Sequence, residues 1–162
     1  MALVYNFTSV WSEFKEYHTK PLNIILHVVT SGAGVMAVFG ICKHLLSANA
    51  IVSCVCLYNV TLLYELPDVL WCVHTLATHT MVWIVMCANM NLLCFGIMLT
   101  VSICLQEGAH WLTDEMTYMS SYNNQTGYAW FVTYTNHVYY LLPCVLTSCT
   151  FDRIPTHVLR LT

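Results

Sequence analysis

The chain has 162 residues, 58% of them hydrophobic and 8% charged, with a formal net charge of −3. That balance excludes a disordered chain, which needs many charges and few apolar residues, and a soluble globule, whose surface needs more charge to cover it. Five scattered Lys and Arg make no basic stripe, so nucleic acid is excluded as a partner. An integral membrane protein remains, and the length suits one domain over residues 1–162.

Taken in chain order, the first element is amphipathic. Val10, Trp11, Phe14 and Tyr17 recur at helical spacing with Glu13, Lys15 and Glu16 opposite, which predicts a short helix lying at the membrane interface. The first 20 residues lack a basic stretch followed by an apolar one, so no cleavable signal peptide is expected. A first span follows at about 22–46, with Pro21 in its first turn, where a missing N–H costs nothing. A second, short span runs over about 50–64 and is ended by Glu65, Pro67 and Asp68. A third runs over about 69–88, and Asn89 and Asn91 make the turn after it. A fourth runs over about 92–112 and is stopped by Asp114 and Glu115. A polar loop fills 113–127, and a fifth span containing Pro143 runs over about 128–150.

Between Lys43 and Glu107 the only charged residues are Glu65 and Asp68. A run of about 20 residues crosses a hydrocarbon core of about 30 Å. The second segment is short for this, so the expectation is four to five spans. Lipid requires every backbone N–H and C=O to be paired internally, and the apolar runs are continuous rather than alternating, which favours helices over a barrel. The expected fold is therefore all-α: a multi-pass membrane helical bundle with an interfacial helix in front of it.

Nine Cys are present, in odd number and without a C-x-x-C pair. This argues against a disulfide framework or a zinc ribbon and for buried apolar filler. Of the eight His, His27, His74, His79, His110 and His137 fall inside spans, where ionisable groups are costly and turn to the bundle interior. Helical rise puts His27 about 8 Å, His110 about 3 Å and His137 about 14 Å below the side where the amino terminus lies. His18 stands just outside that side, and His74 lies about 8 Å below it. Neutral imidazoles converging from distant parts of the chain are what a transition metal requires. The expected ligands are His18, His27, His110 and His137, with His74 a weaker candidate. Gln106 and Glu107 share or border the His110 helix face, and Asn23 lies between the first two His, so these three are expected in the shell behind the ligands.

At these residues the chain resembles the membrane family containing the fungal 2-hydroxy-fatty-acid dioxygenase. Tyr17-His18 followed by Asn23 and His27 resembles that family's Tyr-His…Asn…His signature, which implies that Tyr17 also stands in the shell behind the ligands. Gln106 to His110 resembles its Gln-x-x-x-His element, and His137 ahead of Leu141-Leu142-Pro143 resembles its later His. The resemblance covers about residues 11–148. It implies an Fe(2+)-dependent enzyme of lipid α-oxidation in the endoplasmic reticulum, which uses O2 to shorten a 2-hydroxy acyl chain by one carbon. In that setting Gly32, Gly34 and Gly40 serve close helix packing or leave room for an acyl tail. The segment after His110 departs from the family pattern. This leaves a second reading, a non-catalytic membrane subunit that keeps the fold and partners a larger complex.

Overall fold

The computed structural model describes residues 6–117, 120 and 125–150, and places six α-helices among them. They are α1 (Phe7–Tyr17), α2 (Pro21–Leu45), α3 (Ala48–Leu62), α4 (Asp68–Cys87), α5 (Leu92–Thr113) and α6 (Gly127–Thr150). Part of the expected polar loop, residues 118–119 and 121–124, lies outside the described residues. The expected boundaries agree with these helices to within a few residues, the largest shift being α1, which starts at Phe7 rather than Val10.

Caps explain the boundaries. Asn6 starts α1 through a reciprocal pair of bonds with Ser9. Ser47 caps α3 by accepting from the Ala50 N–H, and Asn91 caps α5 by accepting from the Cys94 N–H. α5 ends at Asp114 in the left-handed conformation, φ 53°, where the chain turns sharply.

Side-chain bonds fix the helix directions. The Lys43 ammonium, at the carboxyl end of α2, donates to the Val85, Met86 and Ala88 carbonyls at the carboxyl end of α4. α2 and α4 therefore run the same way, and α3 returns the chain between them. Glu115, just past α5, bonds the residues that start α2, so α5 runs opposite to α2. α2 is the central helix: α5 packs along it, and α6, α4 and α3 complete the ring around it. α1 crosses one end and packs on α6, with Phe7, Val10 and Phe14 entering a core with Leu62, Leu66, Leu70, Tyr140, Cys144 and Val145.

Three helices are long and apolar enough to cross a membrane: α2, α4 and α5. α3 is apolar but shorter, and α6 is long but carries more Thr, Tyr, Asn and His. The outside of the bundle is apolar, with Leu57, Leu76, Trp83, Leu93 and Leu105 exposed. The cysteines depart from expectation in the same sense. Cys144 is buried and Cys42 half-buried, but the other seven lie on the outer surface, all nine as free thiols. A thiol on a lipid-facing surface meets no water, so it gains nothing by moving inward.

Two packing details resolve sequence ambiguities. Any side chain at Gly40 would run into the Phe95 ring, so this glycine is used for close contact between α2 and α5 and leaves no space for an acyl tail. Pro143 cannot donate to the Tyr139 carbonyl one turn back; instead the Tyr58 hydroxyl of α3 donates to it at 2.6 Å.

Candidate metal centre

Three helical elements bring three imidazoles together. His18 is the residue at which α1 ends, His27 lies in the second turn of α2, and His110 lies in the last turn of α5. All three are buried, at 3–5% exposure. Their ring centroids lie 4.4–4.7 Å apart, and one nitrogen from each can be chosen so that all lie within 4.8 Å of one another. The rings meet edge to face, at 69–80°, rather than stacking. This buried His18, His27 and His110 group can hold a metal ion.

The backbone sets the tautomers. His18 Nδ1 lies 2.8 Å from the Phe14 carbonyl, and His27 Nδ1 lies 3.1 Å from the Asn23 carbonyl. A carbonyl only accepts, so each Nδ1 carries the hydrogen and each Nε2 keeps its lone pair. His18 Nε2 is buried and has no hydrogen-bond partner. A buried imidazole nitrogen without a partner costs free energy unless something else binds it. Burial, reinforced by the neighbouring His27, pushes the His18 pKa down to about 3, which keeps the ring neutral and able to ligate. Phe14 stacks on the His18 face at 3.7 Å and shields it.

Glu115 holds the surrounding corner together, a role the sequence did not reveal. Its carboxylate accepts from the Thr19 N–H at 2.7 Å, the Thr19 hydroxyl at 2.5 Å, the Lys20 N–H at 3.1 Å and the Asn23 amide at 2.8 Å. It therefore caps α2 from the turn after α5, where Lys20 offers no side-chain cap of its own. Burial raises the Glu115 pKa, but the bonds from Thr19, Asn23 and Lys20 outweigh it and hold the carboxyl at about 2. The Lys20 ammonium adds a bond to the Thr113 carbonyl. No local pattern marks this residue, because its partners lie more than 90 positions away.

Asn23 links this corner to the imidazoles. Its amide nitrogen faces Glu115 at 2.8 Å, and both the Tyr17 carbonyl and His110 Nδ1 at 3.3 Å. With two hydrogens for three acceptors, it serves Glu115 and one of the others.

The other expected residues distribute as follows. A cavity of about 30 Å³ is lined by His18, His27, His110, His137, Gln106, Glu107 and Leu141, so His137 reaches the same space as the three clustered rings. Gln106 donates to the Ser31 hydroxyl at 2.7 Å and ties α5 to α2. Glu107 is exposed at the cavity edge. Tyr17 contributes its backbone carbonyl to Asn23. His74 stands apart, fully buried between α3 and α4: its Nδ1 meets Asn59 Oδ1 at 2.9 Å, and Asn59 in turn donates to Thr78. Its Nε2 is also buried without a partner, but no second ligand converges on it among the described residues.

No family model, curated protein or solved structure matches this chain.

Proposed function

We propose that the chain is a multi-pass membrane oxygenase of the endoplasmic reticulum, in which His18, His27 and His110, with His137 beside them, hold Fe(2+). The proposed substrate is a 2-hydroxy fatty acid. The observation that carries the reading is the buried, unpartnered His18 Nε2 within a group of three imidazoles that each bring a ring nitrogen within 4.8 Å of the others. The resemblance of Tyr17-His18, Asn23, His27, Gln106 and His110 to the pattern of the 2-hydroxy-fatty-acid dioxygenase family supports iron, the substrate and the location. The parallel run of α2 and α4 supports α3 as a further crossing, although α3 is short.

The overall reaction balances with O2 as the only co-reactant. R–CH(OH)–COOH and O2 give R–COOH, CO2 and water, and the four electrons removed from the substrate are those that reduce O2. Bound iron(II) supplies the one-electron chemistry by which O2 attacks an otherwise unreactive organic molecule. The protein's own contribution is positioning. The Phe14 and Asn23 carbonyls hold two Nδ1–H groups, so the Nε2 lone pairs of His18 and His27 are set before any ion arrives. Phe14 keeps water from the His18 face, and Glu115, through Asn23, holds the ends of α2 and α5 together. The cavity admits an ion with a few small ligands.

The test is metal analysis of detergent-purified protein, wild type beside His110→Ala, followed by incubation with a 2-hydroxy fatty acid in air. Stoichiometric iron in the wild type, its loss in the variant and a product one carbon shorter are the expected results. Protein that carries no metal and ignores added Fe(II) sinks the reading. Bound metal without chain shortening favours the non-catalytic subunit.

A further inference from the structure

The residues around the cavity differ sharply in exposure. His18, His27 and His110 are buried and form its floor, whereas Glu107 is exposed and His137, Leu141 and Gln106 are half-buried. The rim therefore lies between α5, which carries Glu107, and α6, which carries His137 and Leu141. These two helices both pack on α2, and among the described residues they share no extensive contact with each other. Glu107 lies six residues before the end of α5, about 9 Å in by helical rise, and Leu141 lies about 21 Å from the start of α6. The end of the bundle above the floor is closed, because Glu115 pins Thr19, Lys20 and Asn23 and Phe14 covers His18. The flanks of the gap are apolar. Ile103 and Trp111 lie one turn either side of Glu107 and are 54% and 86% exposed. On α6, Trp130 and Tyr134 stack at 5.2 Å along the stripe that continues to His137 and Leu141.

We propose that the cavity is loaded sideways from the lipid leaflet, through the gap between α5 and α6. This rests on the membrane-oxygenase reading above. The occupant of the gap is the acyl chain of a single-chain lipid. A cavity of about 30 Å³ holds the polar end of such a molecule and no part of a long chain, so the chain lies outside it. The exposed apolar stripes give that chain a surface continuous with the surrounding hydrocarbon. The polar end then reaches the imidazoles without crossing the closed Glu115 corner.

The test uses the full chain in phosphatidylcholine vesicles with a long-chain fatty acid bearing a photoreactive diazirine. Crosslinks are mapped by peptide mass spectrometry on the wild type, on Leu141→Trp, which fills the rim, and on Ile97→Trp, an exposed α5 position outside the gap. Crosslinks concentrated on residues 103–111 and 130–141, lost in Leu141→Trp and kept in Ile97→Trp, are expected. Turnover of a long-chain 2-hydroxy acid is expected to fall by about tenfold in Leu141→Trp and to hold in Ile97→Trp. Uniform crosslinking over the bundle surface, or normal long-chain turnover with the rim filled, overturns the proposal. Iron content measured on the same samples separates the two ideas. Crosslinks in the gap with no iron and no turnover sink the oxygenase alone, whereas iron and turnover with no crosslinks in the gap sink the sideways route alone. If Leu141→Trp does not fold, the wild-type crosslink map decides by itself.

Discussion

His18 is held by three neighbours with different chemistry. Phe14 supplies both a carbonyl for its Nδ1–H and a ring for its face, and His27 and His110 crowd its edge. The result is a neutral ring with its lone pair turned inward. Protonation of His18 in the folded state is suppressed until about pH 3, while the unfolded chain takes up that proton near 6.5. The unfolded state thus binds more protons across this window, so the contribution to stability is complete above pH 6.5 and is lost as the pH falls toward 3. Glu115 acts in the same direction lower down. Its carboxyl titrates at about 2 against an ordinary 4.5, so its contribution is present above 4.5 and is lost as the pH falls toward 2. Metal-free protein melted in detergent over this range should show falling thermal stability from pH 6.5 downward. Glu115→Gln should lower stability at neutral pH by about 1–3 kcal/mol and flatten the part of the curve below pH 4.5. An unchanged acid limb in that variant would remove Glu115 from the explanation. Asn23 supports the imidazoles from behind, and Asn23→Ala should weaken metal binding by about 10–100-fold in a competitive chelator titration.

At the level of the helices, two contacts replace what local sequence takes away. Pro143 leaves the Tyr139 carbonyl without its helical partner, and Tyr58 supplies the missing hydrogen. Tyr58→Phe should therefore cost about 1–3 kcal/mol in denaturant unfolding, because a buried acceptor is left bare. Pro143→Ala in that background should recover much of the loss by restoring the N–H, and simple additivity of the two changes would count against the compensation. Gly40 lets α5 approach α2 closely enough for Phe95 to lie against the α2 backbone. Gly40→Leu should destabilise by about 1–3 kcal/mol, with partial relief from Phe95→Ala, read from paired thermal melts. Neither partner could be found along the chain. Pro143 and Gly40 were visible in the sequence as a helix breaker and a small residue, but the hydroxyl and the ring that complete them come from other helices.

At the scale of the molecule, metal binding and folding are one equilibrium. His18, His27 and His110 belong to three elements, and an ion joining them resists the separation of α1, α2 and α5. Fe(II) at 100 times its dissociation constant should stabilise the protein by about 2.7 kcal/mol, and a chelator should reverse the shift in melting temperature. His110→Ala should be insensitive to both additions; equal stabilisation of that variant would place the ion elsewhere. The helical class and the helix positions to within a few residues were legible in the sequence, because run length and helical rise are properties of consecutive residues. Helical rise placed several His at similar depth, but it also placed His74 there, and the folded chain puts that ring in a separate network with Asn59 and Thr78. Depth is one coordinate of three, and only packing decides which helix faces meet. The cysteines show the same division. Their number and small size are in the sequence, but whether they face the core or the outer surface depends on the helix rotation that the ring around α2 imposes. Glu115 read as a simple stop after an apolar run, and only the antiparallel docking of α5 on α2 turned it into the cap of another helix. Composition alone thus decided the solvent, since a chain with 8% charge cannot cover itself in water. Tertiary contact decided the site, since a metal centre needs lone pairs converging from residues far apart in the chain, and that convergence is produced only when the helices pack.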